Sequence, residues 1–293
     1  MSDTRLYLVA TPIGHLEDFS FRAVKILQEV TIILAEDTRH SQRLLQHFGI
    51  HTPLQSCHEH NEREKSLEVI AGLAQGKSYA LISDAGTPVF SDPGAKLVDA
   101  VLQAGFDVVP IPGACAAIAA LSASGFSGIP FHFYGFLPAQ AGQKRKILAD
   151  IKKTITGSLG FYESPHRLME TLTLFEEVWG SHHVFVLGKE LTKTFEKILK
   201  APLHEIIAWL NEDERRQQGE FVLLLENSLE NRDDTALSLS LDALLLKFMQ
   251  HLKLKEAVAA VVELTGFPKN QVYERALVLK EKKGESCTSP HLP

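Results

Sequence analysis

Between Leu6 and Leu121 strand-like and helix-like segments alternate with little between them. Apolar runs at Leu6 to Ala10, Thr31 to Ala35, Pro53 to Ser56, Tyr79 to Ile82 and Asp107 to Ile111 have strand length, and the segments separating them carry helical spacing. This rhythm predicts an α/β domain, with helices covering the faces of a sheet. Helices are expected over Phe19 to Gln28, Ser41 to Phe48 and Asn61 to about Gln75, the last opened by a capping-box pattern, Asn61-Glu-Arg-Glu64. A helix of very small residues follows Pro112-Gly113 and runs to Leu121. Its Ala-rich face suits either tight packing on a sheet or close approach of a ligand.

One strand end differs from the others. Tyr79 to Ile82 runs into Ser83-Asp-Ala-Gly-Thr-Pro-Val-Phe-Ser-Asp-Pro-Gly94, a long loop of turn residues, before helical spacing resumes at Lys96 and stops at Gly105. Asp92 is placed to cap that helix and Pro93 to occupy its first turn. Ligands of open α/β sheets bind beyond the carboxyl ends of the strands, which makes this loop a candidate cradle. An ordinary tight turn would use the same residues for conformational reasons alone.

After about Gly125 the pattern changes. Strands are expected at Phe131 to Phe136, Ser158 to Tyr162, Val184 to Leu187, through Phe195, and at Gly219 to Glu226, with helices at Gln143 to Lys153 and near Leu203 to Leu210. The first of these helices carries Lys144, Arg145, Lys146, Lys152 and Lys153, a basic face that either meets an acidic partner or is simply solvated. Glu163-Ser-Pro-His-Arg167 should open another helix with Ser164 as its cap. Asn227 to Leu237 reads as a polar linker. Beyond it, Leu241 to Leu252, Leu254 to Leu264 and Lys269 to Lys280 are helical, outlining a helix-turn-helix or a plain three-helix cap. The expected organisation is an α/β domain over 1–123, a second over 124–228, a helical module over 237–283 and a disordered tail over 284–293.

With 293 residues, 45% hydrophobic and 23% charged, the chain can bury a sizeable core. Its formal charge of −6 argues against non-specific coating of nucleic acid but leaves room for a local basic face. Cys57, Cys115 and Cys287 form no CxxC pair, so free thiols are expected and no metal site. No apolar run approaches the roughly 20 residues that span a bilayer. The first residues read as a strand, so a cytoplasmic location without membrane contact is expected. The turn after the first strand, Thr11-Pro12-Ile13-Gly14, lacks the glycines of a dinucleotide fold, and Pro12 removes a backbone donor, which disfavours a phosphate-bearing cofactor. S-adenosylmethionine, whose sulfonium is positive, suits the carbonyl-rich turns near Asp84 better.

Six motifs in order, Ala10-Thr-Pro-Ile-Gly14, Ala35-Glu-Asp-Thr-Arg39, Ser83-Asp-Ala-Gly-Thr-Pro88 with Ser91-Asp-Pro-Gly94, Ile111-Pro-Gly-Ala114, Phe161-Tyr-Glu-Ser-Pro-His-Arg167 and Gly188-Lys-Glu190, resemble the small-subunit ribosomal RNA 2′-O-methyltransferase branch of the tetrapyrrole-methylase superfamily. The resemblance implies a two-domain α/β fold with an interdomain cofactor cleft, a carboxyl-terminal helical extension and a homodimer. It also implies S-adenosylmethionine as cofactor and, as substrate, a cytidine ribose in the decoding region of 16S ribosomal RNA on the small subunit. By similarity the cofactor contacts fall on Ile13, Asp84, Thr87, Pro88, Gly113, Ala114, Cys115, Leu121 and Phe161.

A ribose 2′-hydroxyl is a poor nucleophile and needs alignment and loss of its proton. Candidates for proton handling are Glu36, Asp37, Glu163, His166, Lys189 and Glu190. Arg39 and Arg167, whose guanidinium forks match phosphate oxygens, join Lys144, Arg145 and Lys146 as candidate RNA contacts. Tyr162, among the aromatics Phe133, Tyr134, Phe136 and Phe161 near the cleft, is a candidate surface for a base leaving its stack. Two other readings stay open. A small-molecule, tetrapyrrole-type methyltransferase would need the Asp84 loop but not the basic residues, and a non-catalytic RNA-binding protein would need the basic residues but not the cleft.

Overall fold

A computed structural model describes residues 4–127, 130–228 and 234–285. The chain divides into two compact units at Asn227. The first unit contains two five-stranded sheets, and the alternation read from the sequence builds the first of them. Strands β1 (Arg5–Val9), β2 (Ile32–Ala35), β3 (Leu54–Ser56), β4 (Tyr79–Ile82) and β5 (Asp107–Ile111) lie in the order β3-β2-β4-β1-β5, all parallel. Helices α1 (Phe21–Glu29), α2 (Thr38–His47), α3 (Glu62–Ala74) and α4 (Ala95–Gln103) connect them. The central strands are buried on both faces, which is why β4 reads Tyr-Ala-Leu-Ile with no polar alternation. One face packs on Leu27, Leu45 and Phe19, the other on Val69, Leu73, Leu97 and Val101.

The second sheet orders β6 (Phe131–Phe136), β7 (Gly157–Glu163), β10 (Phe221–Asn227), β8 (Val184–Lys189) and β9 (Lys197–Pro202) side by side, with only the β6–β7 pair parallel. Helices α6 (Ala141–Thr154), α7 (Leu168–Trp179) and α8 (Leu203–Asn211) cover one face around Leu148, Phe161, Phe175 and Ile206. The small-residue helix α5 (Ala116–Ala123) covers part of the other face and so joins the two sheets. Ala120 is fully buried there beside Val222 and Leu224, and Ala117 is fully buried as well, so tight packing explains most of its composition.

Several local expectations differ from the structure. Asn61 makes no capping hydrogen bond to α3; its Oδ1 accepts from His58 N (2.8 Å), and Glu62 is drawn away to α4. Helix α2 starts at Thr38 rather than Ser41, because Asp37 caps it by accepting from Arg39 N (2.8 Å) and His40 N (3.3 Å). Helix α7 starts at Leu168, after a turn through Ser164. Phe195 is exposed in a turn, and the strand expected through it begins at Lys197.

The second unit is helical: α9 (Asp234–Phe248), α10 (Leu254–Thr265) and α11 (Lys269–Glu285) enclose Leu241, Leu245, Val258, Val261, Val272 and Ala276. Gly266 takes the left-handed conformation that ends α10, and a bidentate Arg275–Asp242 pair ties α11 to α9. Helix α11 continues past 283, and most of the expected tail, 286–293, lies outside the described residues, as do 229–233 of the expected linker.

Candidate active site

The carboxyl end of β4 is locked onto the turn after β1. Thr11 and Gly86 exchange backbone hydrogen bonds of 2.9 and 3.1 Å, Thr11 Oγ1 donates to Ser83 O, and Ser83 Oγ donates to Gly86 O. Beyond that lock the loop is conformationally strained. Val89 (φ 72°) and Ser91 (φ 70°) sit in the left-handed region, where a residue other than glycine costs on the order of 1–3 kcal/mol. Packing of Val89 among Leu81, Leu97 and Val101 offsets its share. Gly94 (φ 130°) closes the loop where a Cβ would stand 2.6 Å from Leu81 Cδ2.

The strained loop changes what Asp92 does. Helix α4 is capped at a distance by the buried Glu62, whose Oε1 accepts from Lys96 N (2.8 Å) and Leu97 N (3.1 Å). Asp92 is therefore not the cap that its sequence position suggests. It faces a cavity of about 330 Å³ between the two sheets, within the range of small-molecule sites. The walls come from Ile13 after β1, Asp84 to Thr87 and Phe90 to Asp92 after β4, Cys115 and Ala116 opening α5, Phe136 at the end of β6, Tyr162 to Pro165 at and beyond the end of β7, Leu191 after β8, and Glu220 to Val222 at β10. Four of these residues are acidic, Asp84, Asp92, Glu163 and Glu220, and among the described residues no lysine, arginine or histidine lines the cavity.

The four carboxylates are held differently. Glu163, 2% exposed, is saturated: Oε1 accepts from Ser164 N (2.8 Å) and Oε2 from Thr171 Oγ1 (2.5 Å), with Lys144 Nζ 4.0 Å and Arg167 Nε 3.6 Å away. Glu220 pairs with Lys193 at 3.1 Å, and Asp84 Oδ1 accepts from Asp37 N at 3.3 Å. Asp92 has no hydrogen bond or ion pair among the described residues. Burial first, then the charges of Glu36 and Asp84, push its carboxyl up to about 6. Glu36 is raised by the same causes, burial and then Asp84.

Of the residues expected to contact a cofactor, Ile13, Asp84, Thr87 and Cys115 line the cavity. Ala114 lies just behind, its carbonyl accepting from Thr87 Oγ1 (3.0 Å), and Gly113 lets this turn close onto Ala10, where a Cβ would stand 2.8 Å from that residue's Cβ. Pro88 is buried behind the loop, and Leu121 packs between the sheets. The Phe161 ring, 1% exposed, stacks on Tyr134 in the core of the second sheet and does not reach the cavity.

Among the proton-handling candidates only Glu163 lines the cavity. Asp37 is a helix cap, and its capping bonds hold its carboxyl below the usual range. Lys189 is buried and donates to Gln218 O, and His166 is exposed. Glu190 accepts from Glu220 N (2.8 Å) and Lys193 Nζ (3.0 Å); burial works against the charged form, but these bonds win and lower its carboxyl.

The basic set divides in the same way. Lys144 is a correction: it is fully buried, donates to Thr171 Oγ1 (2.8 Å), and belongs to no surface. Its signal was in the sequence, since Lys144, Leu148 and Ile151 share one helical face. Arg167 is tied to the carbonyls of Leu137 and Pro138. Arg145 is exposed but forms a bidentate pair with Glu177, whereas Lys146 and Arg39 are exposed. Tyr162 lines the cavity, yet its hydroxyl accepts from Ala117 N (3.2 Å) beside Cys115, and burial followed by Cys115 raises it above the ordinary tyrosine range. Its ring meets Phe133 and Phe136, and Phe136, 56% exposed, is the more open of the two phenylalanines, Phe90 and Phe136, that line the cavity.

The pattern of the Tetrapyrrole (Corrin/Porphyrin) Methylases matches residues 5–207, and that of the RsmI C-terminal HTH domain matches residues 235–280. The chain is 46% identical over 286 residues to the ribosomal RNA small subunit methyltransferase I of Pseudomonas aeruginosa, covering 98% of this chain and 100% of that protein. It is 46% identical over 278 residues to the protein of the same name from Escherichia coli O157:H7, covering 94% and 96%. Among solved structures, the methyltransferase CobJ superposes with a TM-score of 0.57 at 17% identity over 76% of this chain and 94% of that one, a likeness of fold. The chain belongs to the tetrapyrrole (corrin/porphyrin) methylase family, in the branch whose members bear the name ribosomal RNA small subunit methyltransferase I.

Proposed function

We propose that this chain transfers a methyl group from S-adenosylmethionine to the 2′-hydroxyl of a cytidine in the decoding region of 16S ribosomal RNA. The observation that carries the reading is the cavity itself, with apolar walls, four carboxylates and no basic side chain among the described residues. A phosphate-bearing cofactor would meet only repulsion there, whereas a compact organic cation finds both burial and opposite charge. When bound, S-adenosylmethionine supplies an electrophilic methyl group on a sulfonium. Ile13, Asp84, Thr87 and Cys115 would hold it, with Pro88, Gly113, Ala114 and Leu121 shaping the wall behind them, whereas Phe161, on the far face of the second sheet, is left out of the cofactor set. The division of the α/β part near 123/124 puts the cleft at a domain boundary, and a homodimer acting in the cytoplasm is part of the same reading.

The ribosomal substrate rests on the names of the relatives and on the helical extension shared with them. The acidic interior requires the phosphates of the RNA to stay outside, so the exposed cations Arg39, Lys146 and Arg145 are the proposed backbone contacts. Phe136 offers the unstacked base a surface, and base–aromatic stacking contributes roughly 1–3 kcal/mol. The chain's own task is alignment of the ribose, worth up to about 7–11 kcal/mol, and removal of its proton. The test is incubation of the protein with labelled S-adenosylmethionine and small subunits lacking the modification, in parallel with a porphyrinogen, followed by nucleoside analysis. Label recovered as 2′-O-methylcytidine supports the reading; label in the porphyrinogen, or on a base, contradicts it.

A further inference from the structure

Among the described residues four other than glycine have left-handed backbone, and they fall in two pairs, Val89 with Ser91 and Glu190 (φ 48°) with Thr192 (φ 63°). Each pair belongs to a loop that borders the cavity, one leaving each sheet. The first loop reaches across to the second sheet, where Phe90 stacks on Phe133 of β6 with ring centroids 4.5 Å apart. The second reaches back. Thr192 Oγ1 accepts from His15 N at 3.1 Å, and Gly14 lies so close that a Cβ there would stand 2.5 Å from Lys193 Cγ and 2.6 Å from Thr192 Oγ1. Since β6 and β8 lie on either side of β7 and β10, the two contacts join the sheets at opposite flanks of the cavity. Strained backbone persists only where its surroundings over-determine it. Glu190 is held by the exchange of its N–H to Glu220 O (2.9 Å) and its Oε1 from Glu220 N (2.8 Å), and Lys193 Nζ bridges both carboxylates at 3.0 and 3.1 Å. Thr192 N donates to Glu196 Oε2. These bonds hold the loop's own shape, whereas the Thr192 hydroxyl is spent on the other sheet's turn.

We infer that Thr192 is a positioning residue of the cofactor site, its hydroxyl fixing the turn after β1, and with it Ile13, at a set distance from the loop after β8. The inference rests on the cofactor reading of the cavity given above. Ile13 and Leu191 pack in one apolar cluster and both line the cavity, so the spacing between turn and loop sets where that wall stands. Without the hydroxyl, His15 N–H loses its acceptor and the wall is free to draw back from a bound ligand. The residue type supports the assignment. A β-branched side chain is among the least suited to left-handed backbone, and a position chosen for conformation alone would take glycine or asparagine. Threonine at φ 63° runs against that preference, and what it adds over glycine is the acceptor that holds the other sheet's turn.

The test is calorimetric titration of S-adenosylhomocysteine into wild type, Thr192→Ala and Thr192→Ser, at a temperature where circular dichroism shows all three folded. Thr192→Ala should weaken binding by about three- to tenfold, the share of one hydrogen bond, and Thr192→Ser, which keeps the acceptor, should recover most of that loss. Gly14→Ala presses on the same contact from the other side. It should weaken binding as well, and combined with Thr192→Ala it should cost less than the sum of the two, because both break one contact. If Gly14→Ala does not fold, the Thr192 pair decides alone. Wild-type affinity in Thr192→Ala overturns the assignment even where that variant melts earlier, since the residue would then serve the fold only. A loss that Thr192→Ser shares in full overturns it too, and so does strict additivity in the double variant. A wild type that binds no S-adenosylhomocysteine removes the cofactor reading itself, a result that is distinct from equal binding by wild type and Thr192→Ala.

Discussion

Two loops bring carboxylates to the same cavity and treat them in opposite ways. The turn after β7 buries Glu163 in a network with Ser164, Thr171, Lys144 and Arg167, so its charge is balanced and both oxygens are occupied. The loop after β4 strains its backbone at Val89 and Ser91 and delivers Asp92 with no hydrogen bond or ion pair among the described residues. A satisfied carboxylate of the first kind fixes structure. One of the second kind is costly to the fold and available to a ligand, the combination expected where stability has been traded for chemistry.

Breaking the satisfied network should have the largest effect. Lys144→Ala leaves Glu163 buried beside an empty space, and removing one partner of a buried pair costs about 3–5 kcal/mol. Thermal or denaturant unfolding should show that loss, while the salt dependence of RNA binding should not change, because Lys144 never reaches the surface. Gly94→Ala should come next, at about 1–3 kcal/mol, since φ 130° is strained for alanine and its Cβ would press on Leu81 and Val89.

The unsatisfied side should respond with the opposite sign. The Asp92 carboxyl is raised from 3.8 to about 6 on folding, so the folded state binds its proton more tightly than the unfolded chain. The resulting penalty is fully present above pH 6, shrinks as pH falls toward 3.8, and is absent below that. Asp92→Asn should therefore be more stable than wild type at pH 7, by up to about 1 kcal/mol once solvent screening is allowed for, and the difference should disappear near pH 4. Ser91→Gly should give the smallest effect, a gain of up to about 1 kcal/mol from relief of its left-handed backbone, less the entropy cost of glycine. Equilibrium unfolding of both variants across that pH range checks each sign.

Much of this contrast could not be read in advance. The alternation of β1 to β5 with their helices was legible because strand and helix periods are local, and the Asp84 loop was legible as a dense run of turn residues. Asp92-Pro-Gly94 also has a local reading, a helix cap, and that reading fails because Glu62, from α3, caps α4 instead. Thr171 and Lys144 meet Glu163 across 8 and 19 residues of sequence, a tertiary pairing with no local mark beyond the apolar spacing around Lys144. The small residues of α5 admitted two explanations, and only the position of that helix on β10 and β7 shows which part packs and which part, Cys115 and Ala116, borders the cavity.

If the cavity's carboxylates recognise a positive charge, the sulfonium itself must register in the affinity. Calorimetric titration with S-adenosylmethionine and with S-adenosylhomocysteine, from pH 5 to pH 8, isolates that charge, because the two ligands differ in the methyl group and the sulfonium it creates. The affinity ratio in favour of S-adenosylmethionine should rise as pH increases through about 6, to which burial and the neighbouring Glu36 and Asp84 push the Asp92 carboxyl. A ratio that stays flat across that range, or that favours the uncharged ligand more strongly at high pH, would contradict it.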